Sequence, residues 1–139
     1  MDNIFTYGSL MFDQVWSEVV EGSYERFESI LRGYDRKSVR NEIYPVIIPA
    51  SPYSEVRGIV YLDVTADDLA RLDRFEGEYY FRQKLEVTTQ DMITLPAETY
   101  VLKEEYYSIL SLQEWDPVHF SSTGIHSFLL HYVANYKKQ

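Results

Sequence analysis

The 139-residue sequence contains no cysteine, which excludes disulfides, thiolate nucleophiles and zinc sites of the cysteine kind. It also lacks long apolar runs. No stretch approaches the roughly 20 residues that span a bilayer, and Met1, Asp2, Asn3 and Ile4 do not form the basic and apolar regions of a secretory signal. The expectation is a soluble, cytoplasmic protein without a membrane partner. Basic charge is scarce: 13 Lys and Arg stand against 22 Asp and Glu, a formal net charge of −9 at pH 7, and the only basic pair of note is Lys137 with Lys138. Such a surface repels phosphate backbones and anionic lipids, so nucleic acid is not an expected partner. Linkers, low-complexity tracts and internal repeats are absent too, and residues 1–139 read as one domain.

What is present suits a packed core. Hydrophobic residues make up 45% of the chain and aromatics 16%, with 13 Tyr against 2 Trp. Tyrosine in that number favours faces that are apolar in body and hydrogen-bonding at the tip. Ile4, Phe5, Thr6 and Tyr7 form a β-branched and aromatic run that stops at Gly8, as a buried strand entering a turn does. Phe12, Val15, Trp16 and Val19 then recur at helical spacing, with Gly22 closing the segment. Residues 24–39 suit extended structure broken at Gly33. A turn-rich stretch with Pro45, Pro49 and Pro52 follows, and a strand is predicted over 56–64. Thr65 is placed to cap a helix running to about Glu76, with Asp68 in the capping-box position and Gly77 ready for the left-handed turn that ends it. Strands are predicted over 79–88 and 94–102. A last amphipathic helix, about 122–136, would carry Ile125, Phe128, Leu129, Tyr132, Val133 and Tyr136 on one face. Strands dominate the middle without regular alternation with helices, so the fold class is α+β.

One carboxylate is out of place. Leu69, Leu72 and Phe75 form the apolar stripe of the helix ending at Glu76, and Glu76 lies four residues after Leu72 and seven after Leu69, on the core side. It sits in the last turn, where the helix dipole disfavours an anion, and Asp73 and Glu78 add like charge. Burial, dipole and neighbouring anions all raise a carboxyl pKa above its usual value of about 4.3, which is the tuning of a general acid or base near neutral pH. The pattern equally fits a half-exposed glutamate at a frayed helix end. The turn after the first strand offers a second candidate. Gly8 permits a sharp turn, and the amides of Gly8, Ser9 and Leu10 would face outward at a helix N-terminus and stabilise an anion or oxyanion. No nucleophile elbow surrounds Ser9, which reads as a backbone donor and helix cap. His119, His126 and His131 are spaced against a shared metal face and read as solvated side chains, so no metal is expected.

These pieces acquire meaning in order. Tyr7-Gly8-Ser9-Leu10, Leu31 with Gly33-Tyr34, Tyr44-Pro45, Gly58 with Val60-Tyr61, Leu72-Asp73-Arg74-Phe75-Glu76-Gly77, Tyr80 with Arg82, and Tyr100-Val101 together resemble the gamma-glutamyl cyclotransferase-like family, in its gamma-glutamylamine cyclotransferase and AIG2-like branch. The resemblance covers about residues 4–102 and leaves the last helix outside. It implies a small, mixed, barrel-like sheet with peripheral helices and a pocket at the end of the first strand. Glu76 would be the catalytic acid/base. Tyr7, Gly8, Ser9 and Leu10 would hold the glutamyl part of the substrate, and Tyr100 would stand in the pocket. Tyr80 and Arg82, on one strand face by alternation, are further candidates for its lining. The implied reaction converts a gamma-glutamyl compound to 5-oxoproline by intramolecular aminolysis, a lyase-type cyclisation needing no cofactor. The substrate would be a gamma-glutamyl dipeptide, a gamma-glutamylamine or glutathione. A noncatalytic domain that binds a small amino-acid-like ligand on the same scaffold is the rival reading.

Overall fold

The computed structural model describes residues 2–134. Among these residues, two sheets and four helical regions follow the chain in this order. Strand β1 is Asp2–Thr6, followed by a single 3-10 turn, Ser9–Met11, and helix α1, Asp13–Val19. Strands β2 (Arg26–Arg32), β3 (Tyr34–Val39), β4 (Pro45–Pro49) and β5 (Glu55–Val64) lead to helix α2, Ala66–Glu76. Strands β6 (Tyr80–Thr89) and β7 (Thr94–Leu102), a 3-10 segment Glu104–Ile109 and strand β8 (Leu110–Glu114) complete the sheets. The last region alternates α turns, Pro117–His119 and Ile125–Phe128, with π-helical turns, Phe120–Gly124 and Leu129–Val133. Tyr136, expected on the apolar stripe of this helix, lies outside the described residues, as do Lys137 and Lys138.

Five strands close a barrel in the order β1-β5-β2-β6-β7, and β4-β3-β8 form a separate sheet. This is the expected α+β class. Barrel closure depends on the β1–β7 seam, which is parallel and carries a single backbone register pair, Ile4 opposite Glu98. Side chains reinforce it: the Thr99 hydroxyl donates to the Phe5 carbonyl at 2.8 Å and the Tyr7 hydroxyl to the Tyr100 carbonyl at 2.6 Å. Alternation along β1 sends Phe5 and Tyr7 into the barrel with Leu31, Val56, Val60, Val87 and Val101, while Ile4 joins the layer under α1 and α2 with Trp16, Tyr61, Leu69 and Leu72. Each fully buried residue of this kind contributes about 1.5–3 kcal/mol, and β1 serves both cores. Gly58 lets it lie close, since a Cβ there would meet the Thr6 carbonyl oxygen at 2.1 Å.

Two expected boundaries shift. The stretch with Pro45 and Pro49 is strand β4 rather than turns, and it tolerates both prolines because they stand at its ends and it pairs only with β3, at the sheet edge. The chain does not pass from Gly8 directly into α1. The 3-10 turn intervenes, and the N-cap of α1 is Phe12, with no side-chain cap bond. Ser9 therefore caps no α-helix. Thr65 caps α2 as expected, accepting from the Asp68 amide at 3.2 Å. Asp68 does not complete a capping box: its carboxylate instead accepts from the Glu21 and Gly22 amides, the Tyr24 hydroxyl and Arg71, tying α2 to the loop after α1. Gly77 ends α2 at φ 83°.

Candidate active site

A cavity of about 380 Å³ opens at the carboxyl end of β1, between the 7–10 turn, the last turn of α2, the start of β6 and the C-terminal helical region. That volume falls at the small-molecule end of the roughly 300–1,000 Å³ range of ligand pockets. Tyr7, Gly8, Ser9, Leu10, Glu76, Tyr80 and Tyr100 all line it. Residues far apart in the chain, from the end of β1, α2, β6 and β7, thus converge on one cavity.

The 7–10 turn is held so that its acceptors are used and its donors are left over. Arg36, reaching across from β3, donates to the Tyr7 carbonyl at 2.9 Å. The Met11 and Phe12 amides take the Gly8 and Ser9 carbonyls, and the Tyr61 hydroxyl takes that of Leu10 at 3.0 Å. Arg26 takes the Met11 carbonyl at 2.7 Å. The amides of Gly8, Ser9 and Leu10 have no acceptor among the described residues. Three adjacent unpaired donors at a cavity wall favour a negative oxygen. The turn cannot easily shift, because a Cβ on Gly8 would stand 2.8 Å from the Pro45 ring and because Tyr61, whose hydroxyl holds Leu10, is stacked on Trp16 at 3.5 Å between centroids. Ser9, 8% exposed, makes no side-chain hydrogen bond among the described residues.

Glu76 reaches the cavity because α2 packs Leu69 and Leu72 inward and its eleventh residue falls on the same side one turn later. Its carboxyl accepts no hydrogen bond among the described residues, and burial followed by the nearby charge of Asp73 pushes its pKa up to about 8. Of the two anions that sequence places beside it, Asp73 is the one that acts; Glu78 does not. At neutral pH the group is therefore mostly protonated, yet close enough to its pKa to give and take the proton. The surrounding phenols stay neutral. Burial, then Glu76, raises Tyr7; burial, then Tyr7 and Glu76, raises Tyr80; and burial, then the hydrogen bond to Asp73, raises Tyr100.

Behind Glu76 runs a chain of polar contacts. The Tyr100 hydroxyl donates to Asp73 Oδ1 at 2.6 Å, Arg82 Nη1 to Asp73 Oδ2 at 2.5 Å, and Arg82 Nε to Glu98 at 3.2 Å. Arg82 is thus on the same strand face as Tyr80, opposite Tyr100 in register, but its guanidinium is engaged by two carboxylates and it is not among the cavity-lining residues. Tyr80 does line the cavity and donates to the Pro45 carbonyl at 3.2 Å. Sequence reasoning about the site did not pick out Tyr44, Arg74, Phe75, Tyr79, Phe128, His131 or Tyr132 as cavity residues. His131, read as a solvated side chain, is exposed but stands at the cavity wall. Among the described residues no cluster of His, Asp and Glu is arranged to hold a metal ion, and no helix is long and apolar enough to cross a membrane.

A closed five-stranded barrel that sets a proton-holding carboxyl group and a row of unpaired amides around one small cavity defines a protein with a site for a small molecule. Residues 4–117 match the family described as gamma-glutamyl cyclotransferase, AIG2-like, and the chain belongs to that family. AIG2-like protein D of Arabidopsis thaliana is 32% identical over 125 residues, which cover 86% of this chain and 82% of that protein. A solution structure of an Arabidopsis thaliana protein is similar at a TM-score of 0.71 and 25% identity, over 99% of this chain and 93% of that one. The fold is also shared with a solved gamma-glutamyl cyclotransferase, at a TM-score of 0.65 and 15% identity, over 98% of this chain and 86% of that one.

Proposed function

We propose that this protein is a gamma-glutamyl cyclotransferase that releases 5-oxoproline and an amine from a gamma-glutamyl amide. The observation that carries the reading is the carboxyl of Glu76, without a hydrogen-bond partner among the described residues, in the same cavity as three amides without acceptors.

The chemistry follows from that pairing. The substrate's α-ammonium approaches Glu76 and gives a proton to the carboxylate form of the enzyme. A group with a pKa near 8 matches a free α-amino group, whose reference value is about 8, so the transfer is nearly balanced. The freed amine attacks the γ-carbonyl carbon, forming the ring C–N bond and moving the carbonyl π electrons onto oxygen. The amides of Gly8, Ser9 and Leu10 are the donors for that oxyanion, and one such donor is worth about a hundred- to a thousandfold in rate. Loss of a second proton from the ring nitrogen, delivery of protons to the leaving nitrogen through Glu76, and cleavage of the old C–N bond complete the exchange. The two protons lost by the ammonium are the two gained by the leaving group, which departs as an ammonium ion, and no water is consumed. Holding the substrate folded on itself supplies proximity. Tyr7, Tyr80 and Tyr100, kept neutral, wall the cavity as hydrogen-bonding faces, and Arg82 acts from behind by holding Asp73.

Release of 5-oxoproline from a panel of gamma-glutamyl amino acids, gamma-glutamylamines and glutathione tests the proposal. Turnover of at least one class supports it. Binding of these compounds without any 5-oxoproline would replace it with a noncatalytic ligand-binding role.

A further inference from the structure

One wall of the cavity has no part in the chemistry above. Tyr44, Tyr132, Phe128 and Phe75 form a continuous row of rings, with centroids 5.6 Å apart for Tyr44 and Tyr132, 5.0 Å for Tyr132 and Phe128, and 6.1 Å for Phe128 and Phe75. All four line the cavity. The row is fixed in place. Phe128 is 3% exposed and packs on Phe120, Trp115 holds the 43 carbonyl beside Tyr44 through its indole N–H at 2.8 Å, and the Tyr132 hydroxyl donates to Glu42. Tyr132 and His131 ride on the π-helical turn Leu129–Val133, a geometry frequent at functional sites. Phe128 and Tyr132 lie beyond the residues that the family profile matches.

The row begins next to Glu76, since Phe75 is its neighbour on α2. The leaving nitrogen must reach the Glu76 carboxyl to receive its proton, so whatever is attached to that nitrogen extends along this wall. We propose that the ring row is the leaving-group subsite, and that it selects gamma-glutamyl compounds whose amine carries an aromatic or large apolar side chain over those carrying a small one. The inference rests on the cyclotransferase reading for its chemistry, but the selectivity is a property of the wall. Rigid rings with polar tips offer an apolar face of definite shape to a flat side chain.

The comparison is gamma-glutamyl-phenylalanine against gamma-glutamyl-alanine, both in kcat/KM for 5-oxoproline release and in affinity by calorimetry. Wild type is expected to favour the phenylalanine compound by about tenfold or more, in line with the discrimination an apolar pocket gives. Tyr132→Ala lowers that ratio by about fivefold, as loss of one ring contact implies, whereas Tyr132→Phe, which keeps the ring and loses only the bond to Glu42, retains it. Tyr44→Ala gives the same fall from a different element and guards against a folding defect in the C-terminal region. A wild-type ratio near one, or variants in which both compounds fall together, would overturn the subsite. If neither compound turns over, the cyclotransferase reading stands or falls separately, on the gamma-glutamylamines and glutathione of the wider panel. The calorimetric ratio then decides: preference for the phenylalanine compound sustains the subsite, and equal or absent binding of the two removes it.

Discussion

Glu76→Gln separates what the carboxyl does for chemistry from what it costs the fold. In the folded protein its pKa stands at about 8 against an ordinary 4.5, so the native state holds this proton more tightly than the unfolded chain does. Below about pH 4 the group is protonated in both states and has no net effect. Between the two values the unfolded chain ionises alone and gains stability, and above about pH 8 the penalty on the native state is complete. At about 1.4 kcal/mol per pH unit the difference between the two values corresponds to an upper bound of about 5 kcal/mol. Solvent entering the cavity screens part of this, and a penalty on the order of 2–4 kcal/mol remains. Glutamine keeps the shape and never ionises. Urea unfolding of both proteins at pH 4, 6, 8 and 9 is therefore expected to show equal stability at pH 4 and an advantage for the variant that grows to about 2–4 kcal/mol at pH 9. Turnover of any active gamma-glutamyl substrate falls by about a hundredfold or more in the same variant. A stability difference that does not change with pH would refute the buried, unpaired carboxyl, and retained turnover would remove Glu76 from the mechanism.

Two more perturbations address the groups behind and beneath the site. Asp73→Asn removes the anion that raises the Glu76 pKa and leaves Arg82 with less compensating charge; the Glu76 titration, followed by carboxyl-carbon NMR, should move down from about 8 by about one pH unit. The rising limb of kcat/KM should move with it, and an unmoved titration would show that burial alone sets the value. Gly58→Ala would place a methyl group 2.1 Å from the Thr6 carbonyl oxygen and 2.7 Å from the Phe5 ring, so β1 must be displaced and stability should drop by about 3 kcal/mol or more in urea. A loss under about 1 kcal/mol would mean that β1 and β5 can separate at little cost.

How much of this could be read in advance depends on whether the deciding force is local. The α2 helix was legible from end to end, because a Thr65 cap, a Leu69–Leu72 stripe and a Gly77 stop are all set within one or two turns. Glu76 was legible in part for the same reason: the stripe places it on the core side with Asp73 as a near neighbour on the helix, but the pattern fits a half-exposed glutamate equally well, because the cavity that buries it is built from other elements. Strand β4 was not legible, since Pro45 and Pro49 look like breakers until it is known that they end an edge strand. Strand alternation set Tyr80 and Arg82 on one face of β6, and the register of β6 with β7 puts Arg82 opposite Tyr100. It could not show that the carboxylates of Asp73, on a different element, and Glu98 would engage the guanidinium, which decides whether Arg82 meets a substrate or holds Asp73. The ring row was hidden for the same cause in a stronger form. Tyr44 and Tyr132 stand 88 positions apart and meet only because the β4 edge and the C-terminal helical region pack over the same cavity. The charge that adds to burial in raising the Glu76 pKa thus lies within its own helix, whereas the groups that would choose the substrate are gathered from the whole fold. If the ring row selects the leaving group, substitution at Tyr44 or Tyr132 should change selectivity while leaving Asp73, the charged neighbour of Glu76 on α2, in place.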